Sequence, residues 1–264
     1  MLEILSYDFM QRAFIVGTLL GIILPCLGMT ILLKRLSMMG DSLSHASLAG
    51  VTIGIFAGIN PLIGSIFICI FAGLFVEFIR NKLKAYEEIS TLVILSASVG
   101  LAGIFSSLSG NATNISSFLF GSIVTITKGE FYGVLIISVL LLAVYSLIYK
   151  DLYLSVFDRE GAKLMGIKTG LIDFIFTILS ALAISLAAKT IGSLIVSSLL
   201  IIPSITAMAL TKTYKGALIL SIGLCLLYMY LGLLISYNFN LKPGSVIVLI
   251  GVVSLIFTLM FNKK

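Results

Sequence analysis

Residues 12–33 read RAFIVGTLLGIILPCLGMTILL, and the basic pair Lys34-Arg35 closes them. Between Arg12 and Lys34 there is no charged side chain. A helix needs about 20 apolar residues, at ~1.5 Å rise each, to cross the hydrocarbon core of a bilayer. This stretch is long enough, and its end is marked by cations. The pattern recurs at about 41–59, 61–79, 89–107, 130–149, 171–188, 190–210, 216–236 and 244–261. The sequence therefore predicts an all-α, polytopic transmembrane helical bundle of nine spans, built as one domain over 1–264. The second stretch is the shortest and most polar, and the seventh contains Pro203, so eight spans is the alternative. Glycine and proline inside several stretches agree with a membrane setting, where helices tolerate both.

Composition points the same way. Of 264 residues, 59% are hydrophobic and 11% are charged, against roughly 25% charged in a soluble domain. That excludes a disordered chain, a coiled coil and a soluble globule. The net charge is +6, but no basic run exceeds two adjacent residues, so nucleic acid is not an expected partner. Cys26, Cys69 and Cys225 are far apart in apolar stretches, without a CxxC, and read as small hydrophobes. The first residues, MLEILSYDF, lack a basic n-region, and a cleaved signal peptide is not expected.

Sidedness follows from the cations. With the N-terminus outside and nine alternating spans, the inside ends hold 13 of the 17 Lys and Arg residues, and only Arg12, Lys128, Lys189 and Lys242 lie outside. The positive-inside rule then places the C-terminus in the cytoplasm. The outer stretch 106–129 includes Phe118-Leu-Phe-Gly121 and is expected to carry a short helix at the surface. The inside stretch 150–170, KDLYLSVFDREGAKLMGIKTG, mixes charge with apolar side chains. It reads as a short cytoplasmic helix whose apolar face rests on lipid or docks a partner.

Charged residues within or near spans are few: Asp41, Glu77, Glu130, Asp173 and Lys189. Most lie close enough to a boundary to be explained by it. Asp41 and His45 are different because they come four apart, on one helix face, and His45 is the only histidine. A carboxylate and an imidazole so placed suit Zn²⁺ or Mn²⁺, and an ion in transit is best held by few ligands so that it can leave. The alternatives are that Asp41 caps the helix and that His45 bonds a neighbouring helix. No catalytic motif is present. Gly161-AKLM-Gly166-Ile167-Lys168 imitates a phosphate loop with its lysine one position late, and the chain is not expected to bind ATP. Residues 191–209 are rich in small side chains; Gly192, Ser197 and Pro203 read either as a packing seam or as a broken, pore-lining helix.

These residues carry a resemblance. The stretch KRLSMMGDSLSHASLAG, 34–50, is similar to the basic pair and Gly-Asp-Ala-x-Ser-His-Ala of the permease subunits of zinc, manganese and iron ABC importers, the ABC-3 type. Ser42 stands where alanine is usual and Ala49 where proline is usual. Phe118-Leu-Phe-Gly121, Asp158-Arg-Glu-Gly-Ala-Lys-Leu-Met-Gly166, Leu199-Leu-Ile-Ile-Pro203 and Pro243-Gly244 follow in the family's order. The resemblance implies a non-catalytic, type II importer permease in a bacterial cell membrane, working as a homodimer. A second copy, a cytoplasmic ABC ATPase and an extracellular metal-binding protein are the implied partners. No cofactor is held permanently; the cargo is a divalent Zn, Mn or Fe ion. Asp41 and His45 are then the metal pathway, and Asp158, Glu160, Ala162 and Gly166 the segment that couples to the ATPase. A secondary metal transporter is the first rival, disfavoured by so few intramembrane carboxylates. A membrane scaffold is the second.

Overall fold

The computed structural model describes residues 8–82, 87–109, 118–119, 128–239 and 241–261. Among them the regular structure is helical. The helices are α1 (Asp8–Leu33), α2 (Met39–Phe56), α3 (Pro61–Lys82), α4 (Glu87–Ser109), α5 (Lys128–Phe157), α6 (Arg159–Leu164), α7 (Thr169–Thr190), α8 (Ser193–Leu210), α9 (Tyr214–Phe239) and α10 (Pro243–Phe261). Eight of these are long and apolar enough to cross a membrane: α1, α3, α4, α5, α7, α8, α9 and α10. The fold is thus an all-α polytopic membrane bundle.

The nine expected spans all exist as helices, but α2 is more polar than the eight that qualify by length and composition. It carries Asp41, His45 and four serine or threonine side chains in 18 residues, and most of it is buried in protein. The helix with Pro203 inside it, α8, does qualify. One boundary also moved. α5 runs on to Phe157, well beyond the expected end near 149, so helix occupies much of the stretch read as a loop. The expected outer-surface helix falls outside the described residues except for Phe118 and Leu119, which are helical.

The chain divides into two compact units. One comprises 1–29, 113–138 and 187–264, and its core is the mutual packing of α8, α9 and α10. Tyr228, 1% exposed, donates its hydroxyl to Ser254 Oγ at 2.7 Å between α9 and α10. The Tyr230 and Thr18 hydroxyls lie 2.8 Å apart. In hydrocarbon, apolar burial supplies little drive between helices, so such polar pairs and close approaches of small residues carry the association.

The other unit comprises 30–112 and 139–186. Here α2 packs against α3 and α4. The α2–α3 crossing is made by small residues: a Cβ added to Gly50 would lie 2.5 Å from the Gly64 carbonyl oxygen. Beside it the Ser47 and Ser65 hydroxyls meet at 2.7 Å, and the Cys69 thiol donates to the Leu43 carbonyl at 3.0 Å. The opposite side of α3 presents Phe67, Phe71, Phe75 and Phe78, all exposed on the protein surface. Helical spacing sorts α3 into a small-residue face for protein and an aromatic face for lipid.

Candidate metal pathway and coupling elements

α2 begins where α1 is turned back. The Leu36 N–H bonds the Ile31 carbonyl and the Arg35 N–H bonds the Leu32 carbonyl, with Arg35 at φ 57°. This is the pattern of a helix terminated by a left-handed residue. Met38 precedes α2 as its N-cap with no side-chain capping bond, so Asp41 is in the first turn rather than at the cap. Asp41 is therefore not the N-cap residue considered from sequence.

The face on which Asp41 and His45 sit is the notable feature of α2. From Met39 to Thr52 every residue is buried except these two, which keep part of their surface accessible. Leu43, Ser47, Gly50 and Gly54 form the seam to α3, and helical periodicity puts Asp41 and His45 roughly opposite that seam. Among the described residues there is no group of three or more His, Cys, Asp or Glu side chains that would hold a metal. One carboxylate and one imidazole make an open site, which suits passage rather than storage.

The segment 158–166 folds as a short helix with both ends fixed. Asp158 is the N-cap of α6, and its carboxylate accepts the Gly161 N–H at 2.9 Å. Glu160 and Lys163 pair at 2.7 Å on the exposed side, and Ala162 is 2% exposed on the buried side. Gly166 ends the helix at φ +84°, its N–H on the Lys163 carbonyl, with the Ile167 N–H on the Ala162 carbonyl. A side chain there would strain the left-handed backbone. Leu164 and Met165 project from this end, 90% and 73% exposed.

Gly192, φ 112°, is the N-cap of α8, and Ser197 and Pro203 are buried within it. Pro203 leaves the Leu199 carbonyl without its helical donor, while the Ser204 and Thr206 hydroxyls bond back to Leu200 and Ile202.

Sequence reasoning missed a charge cluster. Asp173, in α7 and only 2% exposed, forms an ion pair with Lys34 and accepts from Arg159 at 2.7 Å, with Arg80 at 3.9 Å. Arg80 also pairs with Glu77 at 2.7 Å. The Lys34 ammonium lies 5.1 Å from the centre of the Phe176 ring. Burial lowers the Lys34 pKa below the ordinary lysine value, and Asp173 opposes that shift. The cluster joins the end of α1, α3, α6 and α7. The available signal was Asp173 itself: a carboxylate between Ile172 and Phe174, at an end of the bundle crowded with cations.

With this geometry in place, comparison with known proteins gives a consistent result. The family model described as "ABC 3 transport family" matches residues 6–262. The chain belongs to the ABC-3 transport family. ABC-3 permeases are non-catalytic transmembrane subunits, and ATP hydrolysis falls to a separate ATPase. The ABC-3 chain is 33% identical over 259 residues to a probable metal transport system membrane protein of Treponema pallidum, covering 98% of this chain and 97% of that one. It is 29% identical to the manganese transport system membrane protein MntC of Listeria monocytogenes, covering 99% and 93%. Its fold matches the solved structure of PsaBC from Streptococcus pneumoniae in complex with Fab, with a TM-score of 0.86, 26% identity and coverage of 98% and 93%.

That structure also corrects an expectation. The sequence pointed to a homodimer with a second copy of the chain as partner. PsaBC carries two differently named components rather than one protein paired with itself. The homodimer is therefore not retained.

Proposed function

We propose that this multi-pass bacterial membrane protein is the permease of an ATP-driven importer of a divalent transition metal (manganese, zinc or iron), and that Asp41 and His45 contact the ion in transit. The observation that carries the site is their partial accessibility on a helix otherwise buried from Met39 to Thr52. An imidazole and a carboxylate one turn apart on the accessible strip of an otherwise buried helix offer polar ligands to an ion passing there. Such an ion exchanges part of its hydration shell for these two ligands and water, and the set is weak enough to let it go. The relatives named for metal or manganese transport support this cargo class.

The coupling segment fits docking of the ATPase. Leu164 and Met165 offer an apolar tip, and Asp158 and Gly166 hold the helix that presents it. In this reading α6 is cytoplasmic, the N-terminus outside and the C-terminus inside, as the Lys and Arg bias supports, and an extracellular metal-binding protein delivers the ion. Gly192, Ser197 and Pro203 then serve as the seam and bend of a helix that shifts during gating.

The test is uptake of radiolabelled Mn²⁺, Zn²⁺ and Fe²⁺, normalised to permease in the membrane. His45→Ala and Asp41→Asn are each expected to abolish uptake while the protein inserts and retains its ATPase, and Asp41→Glu to keep part of it. Full uptake by well-expressed His45→Ala would remove the pair from the pathway.

A further inference from the structure

The charge cluster around Asp173 has a geometry that a random set of boundary charges lacks. Asp173 is the common partner of cations from three separate elements: Lys34 after α1, Arg80 in α3 and Arg159 in α6. Lys34 and Arg80 are themselves nearly buried, 10% and 11% exposed, while Arg159 is half exposed. Arg159 is the first residue of α6, and the apolar tip Leu164-Met165 is at the other end of that helix. On the far side of the cluster, Lys34 stands at the turn that leads into α2. The Met39 N–H bonds the Leu36 carbonyl at 2.8 Å in that turn, and Leu36 and Met39 are both buried. Asp41 is in the first turn of α2. A continuous set of contacts therefore runs from the exposed tip of α6, through Arg159, Asp173 and Lys34, to the start of the helix bearing Asp41 and His45.

We propose that Asp173 is a positioning residue for transport: it ties α6 to the start of α2, so that displacement of α6 moves the metal-pathway helix. The proposal rests on the permease reading above. The buried Lys34 leaves this carboxylate only at the cost of a separated charge pair in a poorly solvated place, and Arg159 holds α6 to the same carboxylate at 2.7 Å, so the arms form one junction. A rigid junction transmits displacement, whereas separate helix ends slip past one another. Arg159 is the arm to cut, since its removal leaves the Lys34–Asp173 pair and the Arg80–Glu77 pair in place.

The experiment uses the permease with its ATPase in proteoliposomes. Arg159→Gln is expected to retain the ATPase and hydrolyse ATP within about twofold of wild type, while ions accumulated per ATP, read with radiolabelled Mn²⁺, Zn²⁺ and Fe²⁺, fall about tenfold. Arg159→Lys is expected to restore most of that ratio. Spin labels on cysteines replacing Met38, before α2, and Lys163 in α6 give a second readout, independent of metal. Their separation is expected to keep one narrow distribution with and without ATP when Arg159 is present, and to broaden in Arg159→Gln. An unchanged ion-to-ATP ratio, an unchanged label distribution, or a loss of uptake that only follows loss of bound ATPase overturns the proposal. A wild-type complex that accumulates none of the three ions would sink the permease reading instead, and the label distances would still decide the tether.

Discussion

The carboxylate of Asp173 and the ammonium of Lys34 form an ion pair in which the side chains are 2% and 10% exposed. The two partners are not equivalent. Removing Lys34 leaves Asp173 with Arg159 at 2.7 Å and Arg80 at 3.9 Å. Removing the Asp173 charge leaves three cations with Glu77 as the remaining carboxylate of the cluster. Breaking a buried pair by deleting one partner costs about 3–5 kcal/mol when the survivor has no other neighbour. Asp173→Asn is thus expected to lower the thermal midpoint of the detergent-purified protein substantially more than Lys34→Met. Equal midpoints for the two variants would contradict the arrangement.

The two faces of α2 give opposite expectations. A side chain at Gly50 collides with the Gly64 carbonyl and the Ser65 backbone. Overpacking of this kind costs about 1–3 kcal/mol or more. Gly50→Leu is expected to reduce the yield of monodisperse protein, and His45→Ala to leave that yield near wild type. Size-exclusion chromatography of both variants checks this, and aggregation of His45→Ala alone would refute it.

Gly166→Val tests the end of α6. The left-handed backbone at φ +84° costs a side-chain-bearing residue roughly 1–2 kcal/mol. A β-branched side chain is expected to unwind the last turn of α6, displace Leu164 and Met165, and weaken copurification of the ATPase. Retained copurification at wild-type level would show that the tip need not be held in helical form.

Sidedness is open to thiol labelling, helped by the burial of Cys26, Cys69 and Cys225, which keeps background low. A cysteine replacing Ile59, 49% exposed in the turn before α3, is expected to react with an impermeant maleimide in intact cells. One replacing Lys163 is expected to react only after the membrane is opened. The reverse pattern would invert the topology.

Much of this was legible in the sequence for a physical reason. Runs such as 130–149 and 244–261 are apolar because lipid demands it, and that demand is local, so it survives in one dimension. The Asp41–His45 pair was legible too, because a spacing of four is itself a statement about one helix face. The Asp173 cluster was not. Lys34, Glu77, Arg80, Arg159 and Asp173 each lie near a helix boundary, and each has an adequate explanation on its own. Their meeting is a property of tertiary packing, to which helical periodicity is blind. The extension of α5 to Phe157 was hidden similarly: Lys150 and Asp151 look like an end, yet neither breaks a helix, and Leu152 is buried at 1% exposure beyond them.

The glycine-and-serine crossing of α2 on α3 bears on how the chain enters its membrane during synthesis. With an aspartate, a histidine and several hydroxyls in 18 residues, α2 lacks the apolar composition to leave the translocation channel for lipid unaided. Its surroundings are supplied by helices made after it, α3 and α4. The nascent α2 is therefore expected to leave the channel together with Pro61–Lys82, as a hairpin fastened at Gly50–Gly64 and Ser47–Ser65. The same crossing that seats Asp41 and His45 in the folded protein sets the earliest point in translation at which their helix can be installed.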